Sequence, residues 1–263
     1  MIDGNSNVPW NSAQALREEI ARLGADNVAA FFCEPVMGAG GVYPAPEGYI
    51  EEVAAICKEH GIVFVIDAVI CGFGRVGNWF AAERWGVKPD MILFAKGITS
   101  GYMPLGGVIV GQRVAAPFWD QPGNMFRHGQ TFAGHAACCA AGMANMDIME
   151  KEGLLPRGQE LEGVLLQALI SELGDHPMVG DIRGGVGLLA AVEIKQSILD
   201  KRPTAVGETY KACRNAGGMV TRPLIKAIAV SPPLTITEAE IKEMAAGLRA
   251  GYDAAWAAIE PSL

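Results

Sequence analysis

From Ala13 to Leu23 apolar residues recur at helical spacing with charges between them, and the run Val28 to Cys33 that follows is β-branched and aromatic, as in a buried strand. The pattern predicts a helix and then a strand. Met37 to Pro46 is dense in Gly and Pro and reads as a loop, whereas Glu47 to His60 is amphipathic and is closed by Gly61 at the C′ position of a helix. Strands are expected at Ile62 to Ile66, Met91 to Ala95 and Gly106 to Val110, with a short helix near Phe80 to Trp85. Strands alternating with helices predict an α/β sheet with helices packed on its faces.

The pattern then changes. A helix is expected over about Ala133 to Glu150, a long amphipathic one over Gly158 to Leu173, then short strands and a terminal helix starting at Thr237. Thr237 followed by Glu240 is a capping-box signature, which fixes where that last helix begins. We therefore expect a larger α/β unit over 1–152 and a smaller α+β unit over 153–263. Neither an internal repeat nor a low-complexity linker interrupts the chain.

With 263 residues, 50% hydrophobic and 19% charged, the chain can bury a substantial core. A net charge of −8 and a pI near 5.1, with no Lys/Arg run, give no field to attract nucleic acid or an anionic membrane, so small-molecule chemistry is expected. The six cysteines lack paired C-x-x-C spacing and His clusters, which points to neither a metal site nor a disulfide framework but to reduced thiols in a cytoplasm. Met1 to Trp10 lacks the order of a signal peptide, and no apolar stretch is long enough to span a bilayer, so a soluble protein is expected.

Two charges stand out against this background. Asp67 ends the run Ile62-Val63-Phe64-Val65-Ile66, where burying a carboxylate requires a cationic partner. Lys96 ends Met91-Ile92-Leu93-Phe94-Ala95 and is followed by Gly97, so an amine leaves the carboxyl end of a hydrophobic strand, the edge at which open α/β sheets bind ligands. Taken alone, the two could simply pair with each other or with other groups of the chain.

Their neighbours carry more. Asp67-Ala68-Val69-Ile70-Cys71-Gly72-Phe73-Gly74-Arg75, with Ala95-Lys96-Gly97-Ile98-Thr99-Ser100-Gly101-Tyr102-Met103-Pro104-Leu105-Gly106-Gly107, resembles the signature of class III, or omega-type, pyridoxal-phosphate (PLP) aminotransferases. The resemblance runs from about residue 28 to the end. It takes in Glu34-Pro35-Val36-Met37-Gly38-Ala39-Gly40-Gly41-Val42, His128-Gly129-Gln130-Thr131-Phe132-Ala133-Gly134-His135, Ile182-Arg183-Gly184-Gly185-Val186-Gly187-Leu188 and Ser231-Pro232-Pro233-Leu234-Thr235-Ile236-Thr237.

What the resemblance implies is a partial PLP-transferase large domain of the aspartate-aminotransferase type with a C-terminal α+β small domain. Lys96 would be the Schiff-base and catalytic residue, and Asp67 would hold the pyridine nitrogen protonated so that the ring is an electron sink. Val69 would stack on the ring, unless it is an ordinary core valine. Thr131 would reach across a homodimer to the cofactor phosphate, and could equally be a helix N-cap. Arg222, in Gly218-Met219-Val220-Thr221-Arg222-Pro223, would grip a substrate carboxylate with its guanidinium fork, the other reading being a surface arginine. Glu34 would line the substrate site or pair with an arginine of the scaffold.

The implied reaction passes nitrogen from an amino donor to a keto acid such as pyruvate; a class III aminomutase or decarboxylase, or a non-catalytic fragment, are the alternatives. Two departures bear on this. Ala68 stands where the family usually has Glu, which removes a polar group beside Asp67. The family's N-terminal segment, with its phosphate-cradling turn and ring-stacking aromatic, does not precede residue 28, so the chain resembles the C-terminal portion of such an enzyme. Other patterns are weaker. Arg183-Gly184-Gly185-Val186-Gly187 has glycines but neither the strand nor the acid of a dinucleotide site, Cys138-Cys139 reads as core, and His128 and His135 read as structural.

Overall fold

The structure is a computed structural model and describes residues 4–262, so that the first three residues of the Met1–Trp10 stretch lie outside the described residues. In chain order it forms α1 (Ala13–Leu23), β1 (Ala30–Cys33), a hairpin of β2 (Val36–Met37) and β3 (Tyr43–Pro44), α2 (Tyr49–Glu59), β4 (Val63–Asp67), β5 (Met91–Phe94), β6 (Gly107–Val110), α3 (Gln112–Trp119) and α4 (Ala136–Lys151). There follow α5 (Leu154–Glu160), α6 (Glu162–Leu173), β7 (Val179–Arg183), β8 (Ala190–Ile194), α7 (Gln196–Leu199), α8 (Ala205–Asn215), β9 (Arg222–Pro223), β10 (Ala227–Val230) and α9 (Glu238–Ile259). Two compact units result among the described residues: 4–35, 45–73 and 78–152 form one, and 36–44, 74–77 and 153–262 form the other.

In the first unit β1, β4, β5 and β6 make one sheet in that order, the first three parallel and β6 antiparallel. Alternation along the strands gives the sheet two unlike faces. Phe31, Cys33, Phe64, Ile66 and Ile92 pack with Leu16 and Ile20 of α1 and with Ile50, Val53 and Ile56 of α2 in one core. The register places Asp67 opposite Leu93, and Leu93 opposite Val108, in a row on the other face.

The second unit is built on an antiparallel sheet, β7-β8-β10-β9, against which α6, α8 and α9 pack in a second core. Tyr252, wholly buried on α9, donates its hydroxyl to the Val192 carbonyl of β8 at 2.9 Å and ties helix to sheet. Arg183 explains why 36–44 belongs here. Its guanidinium lies 4.2 Å over the Tyr43 ring, donates to the carbonyls of Gly41 and Val42, and pairs with Asp181 and Glu193.

Three expectations are corrected. The Gly-rich stretch after Arg183 does follow a strand, β7, but it turns into antiparallel β8 rather than into a helix, so the geometry of a dinucleotide turn is missing for a different reason. Gly187, at φ 70°, sits against the backbone of Arg75 and Val76, where a β-carbon would collide with the Arg75 carbonyl. The single long helix expected over 158–173 is two, α5 and α6, bent at buried Leu161. The Gly-rich loop at 37–46 contains the small hairpin of β2 and β3.

Candidate active site

β4 and β5 run parallel and in register, Ile66 against Ile92 and Asp67 against Leu93, and the Ala68 amide donates to the Leu93 carbonyl at 2.9 Å. Both strands stop at the same edge. Asp67 is the last residue of β4, and Lys96 opens a short 3-10 turn, Lys96–Thr99, two residues beyond β5. Glu34 follows the last residue of β1, whose Cys33 is registered against Ile66, so it stands at this edge as well. An acid, an amine and a second acid thus stand at the carboxyl ends of the three parallel strands.

Asp67 is half-buried and accepts the Val69 amide through Oδ1 at 3.0 Å, which locks the carboxylate to the start of the loop that follows. The Lys96 side chain is exposed, and among the described residues neither Lys96 nor Asp67 enters an ion pair, which sets aside the reading that they simply neutralise each other. Ala68, fully buried, lies in the core shared with α1 and α2. The Cys33 thiol is pushed up to about 12, by burial first and then by Cys57, Cys71, Glu34 and Asp67, so it is no nucleophile at neutral pH.

The two loops are fastened to each other. Phe73 adopts φ 52° and makes edge contacts with Trp79, Phe80 and Phe94, its ring centroid 6.0 Å from that of Phe94 on β5. A β-carbon on Gly97 would come 2.9 Å from the Phe73 β-carbon, so glycine is needed after Lys96 for the close approach. On the far side of the turn, α4 contributes Asn145, which donates through Nδ2 to the carbonyls of Gly97 at 3.0 Å and Ile98 at 3.1 Å. The Thr99 hydroxyl donates to the Met103 carbonyl at 2.6 Å. The hydrophobic pattern gave no hint of Asn145; the signal available was a polar residue on the α4 stripe Cys138, Gly142, Met149.

The remaining residues lie apart. Thr131 belongs to the same unit, in an exposed segment, and is not the N-cap of α4, which is His135. Cys138 is buried as expected but Cys139 is exposed, because α4 turns that face outward. Arg222 belongs to the second unit, exposed on β9, and lines a cavity of about 940 Å³ with Met219, Met244 and Pro232. The neighbouring Thr221 lines the same cavity, its hydroxyl oxygen buried and without a hydrogen-bond partner among the described residues.

The class-III aminotransferase family model matches residues 3–250, and the chain belongs to that family. It is 40% identical over 242 residues to the diaminobutyrate–2-oxoglutarate transaminase of Halomonas elongata, covering 89% of this chain and 51% of that protein. It is 37% identical to the putrescine–pyruvate aminotransferase of Pseudomonas aeruginosa, covering 94% of this chain and 54% of that protein. Among solved structures, the (S)-enantioselective omega-transaminase of Thermomicrobium roseum superposes with a TM-score of 0.84 at 38% identity, over 94% of this chain and 55% of that one. A PLP-bound amine transaminase from an uncultivated Pseudomonas species gives 0.85 at 36% identity, over 92% and 56%. The fold is that of a PLP-dependent transaminase, in part, and the chain spans about half the length of the curated relatives it matches.

Proposed function

We propose that these residues form part of a PLP-dependent transaminase site that moves an amino group from an amine or omega-amino acid to a keto acid such as pyruvate, in a cytoplasmic homodimer. One observation carries the reading: an amine without an ion-pair partner among the described residues and a carboxylate leave adjacent parallel strand ends at one sheet edge. The chemistry of that pair suits PLP, whose two poles are an aldehyde and a ring nitrogen that must stay protonated. When bound, PLP supplies the electron sink for negative charge at the substrate Cα.

In this reading Lys96 holds the cofactor covalently and, once released, its amine moves the proton at the substrate Cα. Asp67 keeps the proton on the ring nitrogen, as a carboxylate beside a cation does. Val69, fixed by the hydrogen bond its amide donates to the Asp67 carboxylate, presents a β-branched side chain to the ring face. Thr131 offers a hydroxyl to the phosphate of the other subunit, Arg222 binds a substrate carboxylate, and Glu34 lines the substrate site. The relatives named above take 2-oxoglutarate or pyruvate in their names, which supports a keto acid as the acceptor class.

The test is covalent trapping. The chain is mixed with PLP, reduced with borohydride and digested, and the modified peptide is sought by mass spectrometry. We expect the label on Lys96 in the wild type and its loss in Lys96→Ala; equal labelling of the two proteins would refute the assignment. A second reading is a chain that holds the cofactor without activity of its own. Trapping at Lys96 without keto-acid-dependent turnover would decide for it.

A further inference from the structure

We propose that Asn145 of α4 is a positioning residue that fixes the direction in which Lys96 leaves the sheet. The proposal rests on the reading of Lys96 given above, and it starts from backbone that does not hold its shape unaided. Lys96 has φ 48° and Ser100 has φ 51°, so two residues with β-carbons bracket the turn in the left-handed region. Such conformations persist only where the surroundings over-determine them.

Asn145 supplies that constraint. Its amide donates to two successive carbonyls, Gly97 and Ile98, immediately after Lys96. The helix reaches the turn because Gly142 has no side chain: a β-carbon there would come 3.0 Å from the Leu105 Cδ2 and 3.4 Å from the Ile98 Cγ1. Cys138, Gly142 and Met149 are buried on the same stripe, so the helix cannot roll to withdraw the amide. Two donors on one rigid side chain, gripping neighbouring peptide planes, fix the orientation of the turn as well as its position.

Two variants separate donation from packing. Asn145→Asp keeps the shape but turns the donors into a carboxylate facing two carbonyls; Asn145→Leu fills the space without donating. Hydrogen exchange on the chain without cofactor is expected to show peptides covering 95–105 exchanging about ten-fold faster or more in both variants, while α9 keeps its protection. The rate of borohydride-trappable labelling at Lys96 is expected to fall in parallel. Wild-type exchange in both variants, or wild-type labelling in Asn145→Leu, would overturn the proposal. If the Asp variant fails to fold, the Leu variant decides alone. A wild-type chain that never labels at Lys96 would sink the reading of Lys96, while exchange still reports whether Asn145 holds the turn.

Discussion

A lysine at φ 48° keeps its β-carbon where glycine alone sits without strain, at a cost of about 1 kcal/mol or more. Lys96→Ala and Lys96→Gly both remove the amine, but only glycine relaxes the backbone. We therefore predict that Lys96→Gly is the more stable of the two by about 1 kcal/mol in urea unfolding of the chain without cofactor, despite glycine's larger entropy in the unfolded state. Equal midpoints would show that the turn carries no strain at this residue. The placement of Lys96 and Asp67 at one sheet edge was legible in the sequence because each is a charge closing a hydrophobic run. Neither the left-handed turn nor Asn145 was legible, since the carbonyls that Asn145 meets lie 48 and 47 residues away and leave no local pattern.

At the level of elements, legibility followed how each helix buries its face. α1 and α9 bury large apolar side chains at helical spacing, Leu16 and Ile20 in one, Ile241, Leu248 and Tyr252 in the other, and both start where the sequence places them. α8 escaped notice because its buried face is Ala205, Val206, Thr209 and Cys213, small or polar residues that suit a close approach; Gly251 of α9 has Cys213 where its β-carbon would be. α3 buries nothing and carries Pro117, which reads as a breaker. The capping box at the head of α9 is formed, with the Thr237 hydroxyl accepting the Glu240 amide at 3.2 Å and the Glu240 carboxylate accepting the Thr237 amide at 2.8 Å. The Thr237 amide first, and then the Thr237 hydroxyl, which also donates to that carboxylate at 2.7 Å, hold the Glu240 carboxyl below its usual range. Replacing Thr237 by Ala is expected to cost the second unit about 1 kcal/mol, read as a lower unfolding midpoint at unchanged m-value. An unchanged midpoint would mean that packing alone sets the start of α9.

For the molecule as a whole, the excursions 36–44 and 74–77 into the second unit have no signature in the hydrophobic pattern, because what holds them is single long-range groups, Arg183 and the Gly187 turn. The unlike faces of the first sheet have a consequence for solution behaviour. Away from the α1 and α2 core, Phe32 is 59% exposed, Val108 47% and Val110 40%, and β6 lies at an end of the sheet order. An apolar face beside a strand edge draws copies together, while a net charge of −8 keeps them apart until salt shortens the screening length from about 30 Å at 0.01 M to about 3 Å at 1 M. Sedimentation of this 263-residue chain is expected to show species larger than a dimer growing with salt. The double variant Val108→Glu, Val110→Glu replaces apolar surface with like charge and should abolish them, leaving in place the homodimer proposed above. Large species that persist in the double variant would place the contact elsewhere than on this face, and loss of the dimer along with them would move the proposed homodimer onto the sheet and leave Thr131 without a partner's phosphate to reach.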